Sequence, residues 1–248
     1  MEHLRPPTHP ESPPEASGGR AGRAEPRIVR ALASDYDGTL ATGGRVDPPT
    51  LAALERFRAS DRKLVLVTGR RLPDLLDVFP SIALFDRVVG ENGAVLYDPA
   101  ERAERVLATA PAPTLIRELE SRSVPLAVGR VIVATSDVHA ATVAEAIRAL
   151  RLPVQTVLNK GAIMILPNGV DKATGMTAAL AELGVSPADT VAVGDAENDI
   201  AFMGCCGSTV AVANALPSLK TRADVVTAGE AGAGVVELID RILGGPDW

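Results

Sequence analysis

Asp35-Tyr36-Asp37-Gly38-Thr39-Leu40 sets two carboxylates two positions apart, directly after the apolar run Ile28-Val29-Arg30-Ala31-Leu32-Ala33-Ser34. Acids so close repel each other, which costs stability unless a cation or a reaction requires them. At the carboxyl end of a buried strand they would stand where open α/β sheets bind ligands. Gly38 frees the turn and would leave its N–H open to an anion. A polar turn is the plainer alternative. Gly194-Asp195-Ala196-Glu197-Asn198-Asp199 repeats the logic, because Asp195 and Asp199 face one edge if a helix starts at once. Oxygen ligands without His or Cys suit Mg²⁺ better than zinc. An acidic helix N-terminus, favoured by the macrodipole, competes with that reading.

Two further positions carry binding chemistry. Thr68, followed by Gly69, ends an apolar run, where a hydroxyl and free N–H groups can hold phosphate oxygens. Lys172 is one of four lysines (Lys63, Lys160, Lys172, Lys220) in a chain that otherwise uses arginine. Its compact ammonium suits neutralising a carboxylate and a phosphate together. A solvated helix-start lysine is the alternative. Arg70 and Asn92 are candidates to reach a substrate, or to satisfy turn carbonyls. His3, His9 and His139 form no hydrolase triad with these acids.

The elements that must position these groups alternate. Buried strands are predicted at 28–34, 63–67 and 190–193, with shorter ones at 209–212 and 224–226. Helices are predicted at 51–59, 72–78, 172–183 and 235–243, the third stopped by Gly184. Continuous apolar strands separated by helices predict a parallel sheet covered on both faces. The middle differs. From 88 to 166, strands near Val95–Tyr97, Val131–Ala134, Val154–Leu158 and Ile163–Leu166 surround helices at Pro113–Arg122 and His139–Leu150. This is an α+β pattern long enough for a small separate unit.

The 248 residues carry a net charge of −6, which argues against general affinity for nucleic acid or anionic membrane. No apolar run approaches the about 20 residues that span a bilayer. Residues 1–26, rich in Pro, Gly, Glu and Arg, read as a disordered tail. Cys205 and Cys206 are adjacent and offer neither a zinc site nor a disulfide framework, so a reducing, cytoplasmic setting is expected.

The DxDGT stretch, the strand-end threonine, the later lysine and the GDxxND stretch occur in the order of the haloacid dehalogenase (HAD) superfamily, which the chain resembles. Through Asn92-Gly93-Ala94, Gly169-Val170-Asp171-Lys172, Asn214-Ala215 and Gly234-Val235 it looks like subfamily IIB: Cof-type, sucrose-phosphatase-like and archaeal phosphoglycolate-phosphatase-like members. The resemblance covers residues 28–243. It implies a Rossmann-like α/β core at 27–87 and 167–248. The spare length between Thr68 and Lys172 would hold a small α+β C2-type cap at 88–166.

It further implies Mg²⁺-dependent hydrolysis of a small phosphate monoester, a sugar phosphate or phosphoglycolate-like compound. Asp35 would be the nucleophile, forming an aspartyl-phosphate, and Asp37 the acid and base. Asp35, the Asp37 carbonyl and Asp195 would hold the metal, with Asp199 holding the metal or its waters. Gly38, Thr68, Gly69 and Lys172 would bind phosphoryl oxygens, Asn198 the phosphate or Lys172, and Arg70 and Asn92 the substrate. Arginines of the middle segment (Arg102, Arg105, Arg117, Arg122, Arg130) are candidates to recognise a second anionic or polyhydroxyl group on the substrate, with a merely solvated surface as the alternative. A phosphomutase, a phospho-accepting receiver and a silent binding module remain as alternatives. Oligomeric state is left open.

Overall fold

The computed structural model describes residues 28–159 and 161–245. The expected tail at 1–26 lies outside the described residues, as do His3 and His9.

The expected elements form, with shifted ends: β1 (Ala31–Asp35) starts three residues later than the apolar run, helix α1 (Pro48–Arg58) three residues earlier than expected, and β2 (Lys63–Val67) and helix α2 (Leu72–Val78) follow as expected. α1 starts where the Asp47 carboxylate accepts from Thr50 N at 2.9 Å, with prolines in its first turn. It buries Ala53, Leu54 and Phe57. Then come β3 (Arg87–Gly90), the 3-10 turn Glu91–Gly93, and the antiparallel pair β4 (Val95–Asp98) and β5 (Ala103–Val106). The middle segment continues with α3 (Pro113–Ser121), β6 (Ala127–Val128), β7 (Val133–Ser136), α4 (Ala140–Leu150), β8 (Val154–Asn159) and β9 (Ala162–Pro167). The last third comprises α5 (Lys172–Leu183), β10 (Thr190–Gly194), α6 (Ile200–Met203), β11 (Ser208–Ala211), α7 (Pro217–Lys220), β12 (Val225–Val226) and α8 (Ala231–Gly244).

The strands form two sheets. The larger has the order β12-β11-β10-β1-β2-β3-β4-β5, parallel from β12 through β3 and antiparallel beyond. β1 and β10 are buried at every position, so both faces are covered, as their unbroken apolar character required. The smaller sheet, β6-β7-β9-β8, is antiparallel. It encloses its own apolar cluster, built on Leu115, Leu119, Val133, Val143, Ile163 and Ile165.

One expectation needs correction. β3, β4 and β5 pair within the larger sheet, so that sheet extends to Val106 and the division expected at residue 88 falls later. An apolar strand pattern says that a strand exists; hydrogen bonding across the sheet decides which sheet owns it. Among the described residues no helix is long and apolar enough to cross a membrane.

Candidate active site

β10, β1 and β2 are adjacent and parallel, so the residues that end them meet along one edge. Asp35 is the last residue of β1, Thr68 follows β2, and Asp195 follows β10. Between β1 and β10 the chain's progression across the sheet reverses, the crevice where such sheets bind ligands.

Lys172 is the first residue of α5, a helix begun by a reciprocal capping box between Asp171 and Thr174 and ended by left-handed Gly184. Its side chain is 1% exposed. Nζ donates to Asp35 Oδ1 at 2.5 Å and to Asp199 Oδ1 at 2.6 Å, and lies 5.6 Å from the centre of the Phe202 ring. Burial works against the ammonium, but the facing charges of Asp199 and Asp35 outweigh it and hold Lys172 above its ordinary pKa. Desolvation by burial, joined by the charge of Asp199, pushes the Asp35 carboxyl up to about 7 against the pull of Lys172.

Asp199 also closes its own loop: Oδ2 accepts from the backbone N–H groups of Asp195 and Ala196, both at 2.9 Å. Ligand atoms of Asp35, Asp195 and Asp199 all lie within 4.8 Å of one another, and all three residues are buried. With all three ionised, the carboxylates against the one ammonium of Lys172 leave two negative charges in excess. An all-oxygen, doubly negative cluster fits a hard divalent cation.

Asp37, the second acid of the motif, is held by Arg70: Nε donates to Oδ2 and Nη2 to Oδ1, each at 2.7 Å. The guanidinium lies 5.4 Å from the Tyr36 ring centre. Arg70 is therefore engaged with the second acid. Thr68 is buried and its hydroxyl accepts from Arg70 N at 3.1 Å. At Gly69 a side chain would press on the Met164 sulfur of β9, so glycine here lets the smaller sheet approach. Asn92 is buried, and its Oδ1 accepts from Asn198 Nδ2 at 3.3 Å. Asn198 Oδ1 is buried without a partner among the described residues, an acceptor that a ligand can satisfy.

Gly38 departs from expectation. Its φ of 90° confirms the need for glycine, but its N–H donates to Ala41 O at 2.9 Å and is not open to an anion. The turn closes on itself, because Thr39, Leu40 and Ala41 also donate to Tyr36 O. Three of the five arginines expected to select substrate are engaged elsewhere: Arg105 with Glu182, Arg122 with Glu118 and Glu145, Arg130 with Glu104. Cys205 and Cys206 are free thiols, and burial pushes Cys206 up to about 12.

Three residues escaped the sequence reading. Thr39 Oγ1 donates to Asp195 Oδ1 at 3.4 Å. Asn214 Nδ2 donates to Gly38 O at 2.8 Å while its Oδ1 accepts from Ala231 N at 2.7 Å, tying the Asp35–Thr39 turn to the start of α8. Glu91 is a buried carboxylate beside Asn92. Thr39 lies inside the DxDGT stretch and Glu91 beside Asn92, while Asn214 already stood among the residues of the family resemblance without a role; that proximity was the available signal.

A family model described as haloacid dehalogenase-like hydrolase matches residues 32–137 and 127–239. The chain belongs to the haloacid dehalogenase-like hydrolases. A phosphoglycolate phosphatase of Methanothermobacter thermautotrophicus is 31% identical over 227 residues, 87% of this chain and 100% of that protein. A haloacid dehalogenase-like hydrolase from Bacteroides thetaiotaomicron shares the fold with a TM-score of 0.75 at 18% identity, over 86% of this chain and 99% of that one. A HAD subclass IIB sugar phosphatase gives 0.67 at 20% identity, over 87% and 99%. Within this family the larger sheet is the core and the smaller α+β unit its cap.

Proposed function

We propose that this HAD phosphatase hydrolyses a small phosphate monoester, phosphoglycolate or a compound of similar size and charge, through a phosphorylated Asp35. The observation that carries the reading is the buried Asp35–Lys172–Asp199 bridge beside Asp195, with Asp37 two residues from Asp35 and gripped by Arg70. The relatives named phosphoglycolate phosphatase support the substrate class, because the similarity spans nearly their whole length.

Lys172 occupies Asp35 Oδ1, so Oδ2 attacks phosphorus, forming one P–O bond as the ester P–O bond breaks. Asp37 enters this step protonated, having released one of its two hydrogen bonds from Arg70, and gives that proton to the departing alkoxide. It then takes a proton from water, whose oxygen attacks phosphorus and breaks the Asp35–phosphorus bond, releasing inorganic phosphate. Thr68 and Lys172 bind the phosphoryl oxygens, and Asn198 with Asn92 supports that pocket. Mg²⁺ held by Asp35, Asp195 and the Asp37 carbonyl would offset the repulsion between carboxylate and phosphate. Asp199, with both oxygens already accepting hydrogen bonds, serves chiefly to fix Lys172 and the Asp195 loop.

The experiment is phosphate release from a panel of small phosphate esters with Mg²⁺. Turnover of phosphoglycolate or a near analogue above larger sugar phosphates is expected. Absence of release from every ester would overturn the reading, and a strong preference for hexose phosphates would overturn its substrate class.

A further inference from the structure

Glu91 has no place in the chemistry above, yet it is 2% exposed and φ is 49°. Asn92 and Gly93 follow with φ of 54° and 103°, three left-handed residues in a row. A conformation that two L side chains rarely adopt persists only where surroundings hold it. Here they hold it from two directions. From the core, Glu91 N donates to Arg70 O at 2.9 Å and Asn92 N to Thr68 O at 3.0 Å. From the cap, three consecutive amides converge on the carboxylate: Arg130 N on Oε1 at 2.8 Å, and Val131 N and Ile132 N on Oε2 at 2.8 and 2.9 Å. Such a nest of N–H groups is a concave anion site, and the anion is supplied by the core. A side chain at Gly129 would collide with the same carboxylate. Arg71 adds a contact nearby, with Nη1 donating to Val128 O at 3.1 Å. Around it, Ala94 of the core packs with Val131, Ile132, Met164 and Leu166 of the cap.

We infer that Glu91 is a positioning residue that seats the cap through the amides of 130–132 and transmits its pose to the site. Its backbone N–H fixes Arg70, whose side chain grips Asp37, and its neighbour Asn92 binds Asn198. Cap pose and general acid thus share one residue. The inference rests on the phosphatase reading for its kinetic arm only.

The test compares wild type with E91Q and G129A. Gln keeps the shape but replaces one of the two acceptor oxygens by an NH2 donor and removes the charge, leaving at least one of the three N–H groups without an acceptor, and Ala at 129 displaces the carboxylate from the cap side. In both variants hydrogen exchange at the amides of 130–132 should speed up while β1 and β10 stay protected. For the best ester, kcat/KM should fall by about tenfold to a hundredfold, mainly through kcat, as expected when the general acid is displaced from its productive position. Inhibition by orthovanadate, which needs only the phosphoryl site, should stay within about twofold. Unchanged exchange at 130–132 in E91Q would overturn the inference. So would a loss of vanadate affinity in step with the ester, which would make Glu91 a support of the whole core. If wild type hydrolyses no ester, the function falls, while the exchange arm still reports on the seat itself.

Discussion

A carboxylate that becomes phosphorylated cannot be replaced by its amide. Asp35→Asn should lower phosphate release by at least about 10³-fold, measured at steady state, because removing a nucleophile forfeits the covalent route. Lys172 has a second consequence. Replacing it by Met strands Asp35 and Asp199 in a buried site, so stability should drop by about 3–5 kcal/mol in a urea titration, beyond the loss of activity. The Asp35 carboxyl, held at about 7 by burial, fixes a pH dependence. Below about 7 a proton competes with a cation for the same oxygens, so cation affinity should weaken by about tenfold per pH unit and level off above it. Calorimetric titration with Mg²⁺ across that range checks it, and a flat profile would contradict it. Linkage gives the stability sign: the cation-free fold binds this proton better than the unfolded chain does. It should therefore lose stability as pH rises from the ordinary 3.8 toward about 7. The acids at 35, 37, 195 and 199 were legible because carboxylates at the ends of apolar runs contradict ordinary patterning, and Lys172 because lysine is scarce in this chain. The grip of Arg70 on Asp37 was not, because nothing in the spacing 37 to 70 states a hydrogen bond.

At the scale of elements, β10, β1 and β2 carry the site because each ends at the same edge, and α5 delivers Lys172 because its first turn begins there. The cap of α5 is thus also a support of the site. Asp171→Ala removes the acceptor for Thr174 N and should cost about 1 kcal/mol by thermal or urea unfolding. The loosened first turn should also lower turnover; unchanged turnover with the full stability loss would separate the two roles. Core helices were legible from their period of 3.6 and core strands as unbroken apolar runs. β3 and β5 were missed for opposite reasons: β3 is four residues abutting a turn, and β5 is exposed at every position. Neither shows the alternation that pattern reading needs.

Across the whole molecule, two apolar cores meet at a junction that mixes a small apolar cluster with the Glu91 carboxylate. The net excess of two negative charges at the acid cluster predicts that a divalent cation stabilises the entire fold. At a concentration about a hundredfold above its Kd, Mg²⁺ should add about 2.7 kcal/mol and raise Tm by about 5–10 °C, and EDTA should reverse it. No shift in scanning calorimetry would remove the cation from the proposal. The order of apolar runs and acids determined by itself the parallel core, the inserted α+β unit and the positions of the clustered carboxylates, since an unbroken apolar run and the acid that ends it are local properties of the sequence. Only the tertiary structure decided that Gly38 closes its own turn, that the sheet runs on to Val106, and that Glu91 joins the two units. Those depend on which backbone groups find each other across long stretches of chain, and hydrogen bonds of that kind leave no period in a sequence.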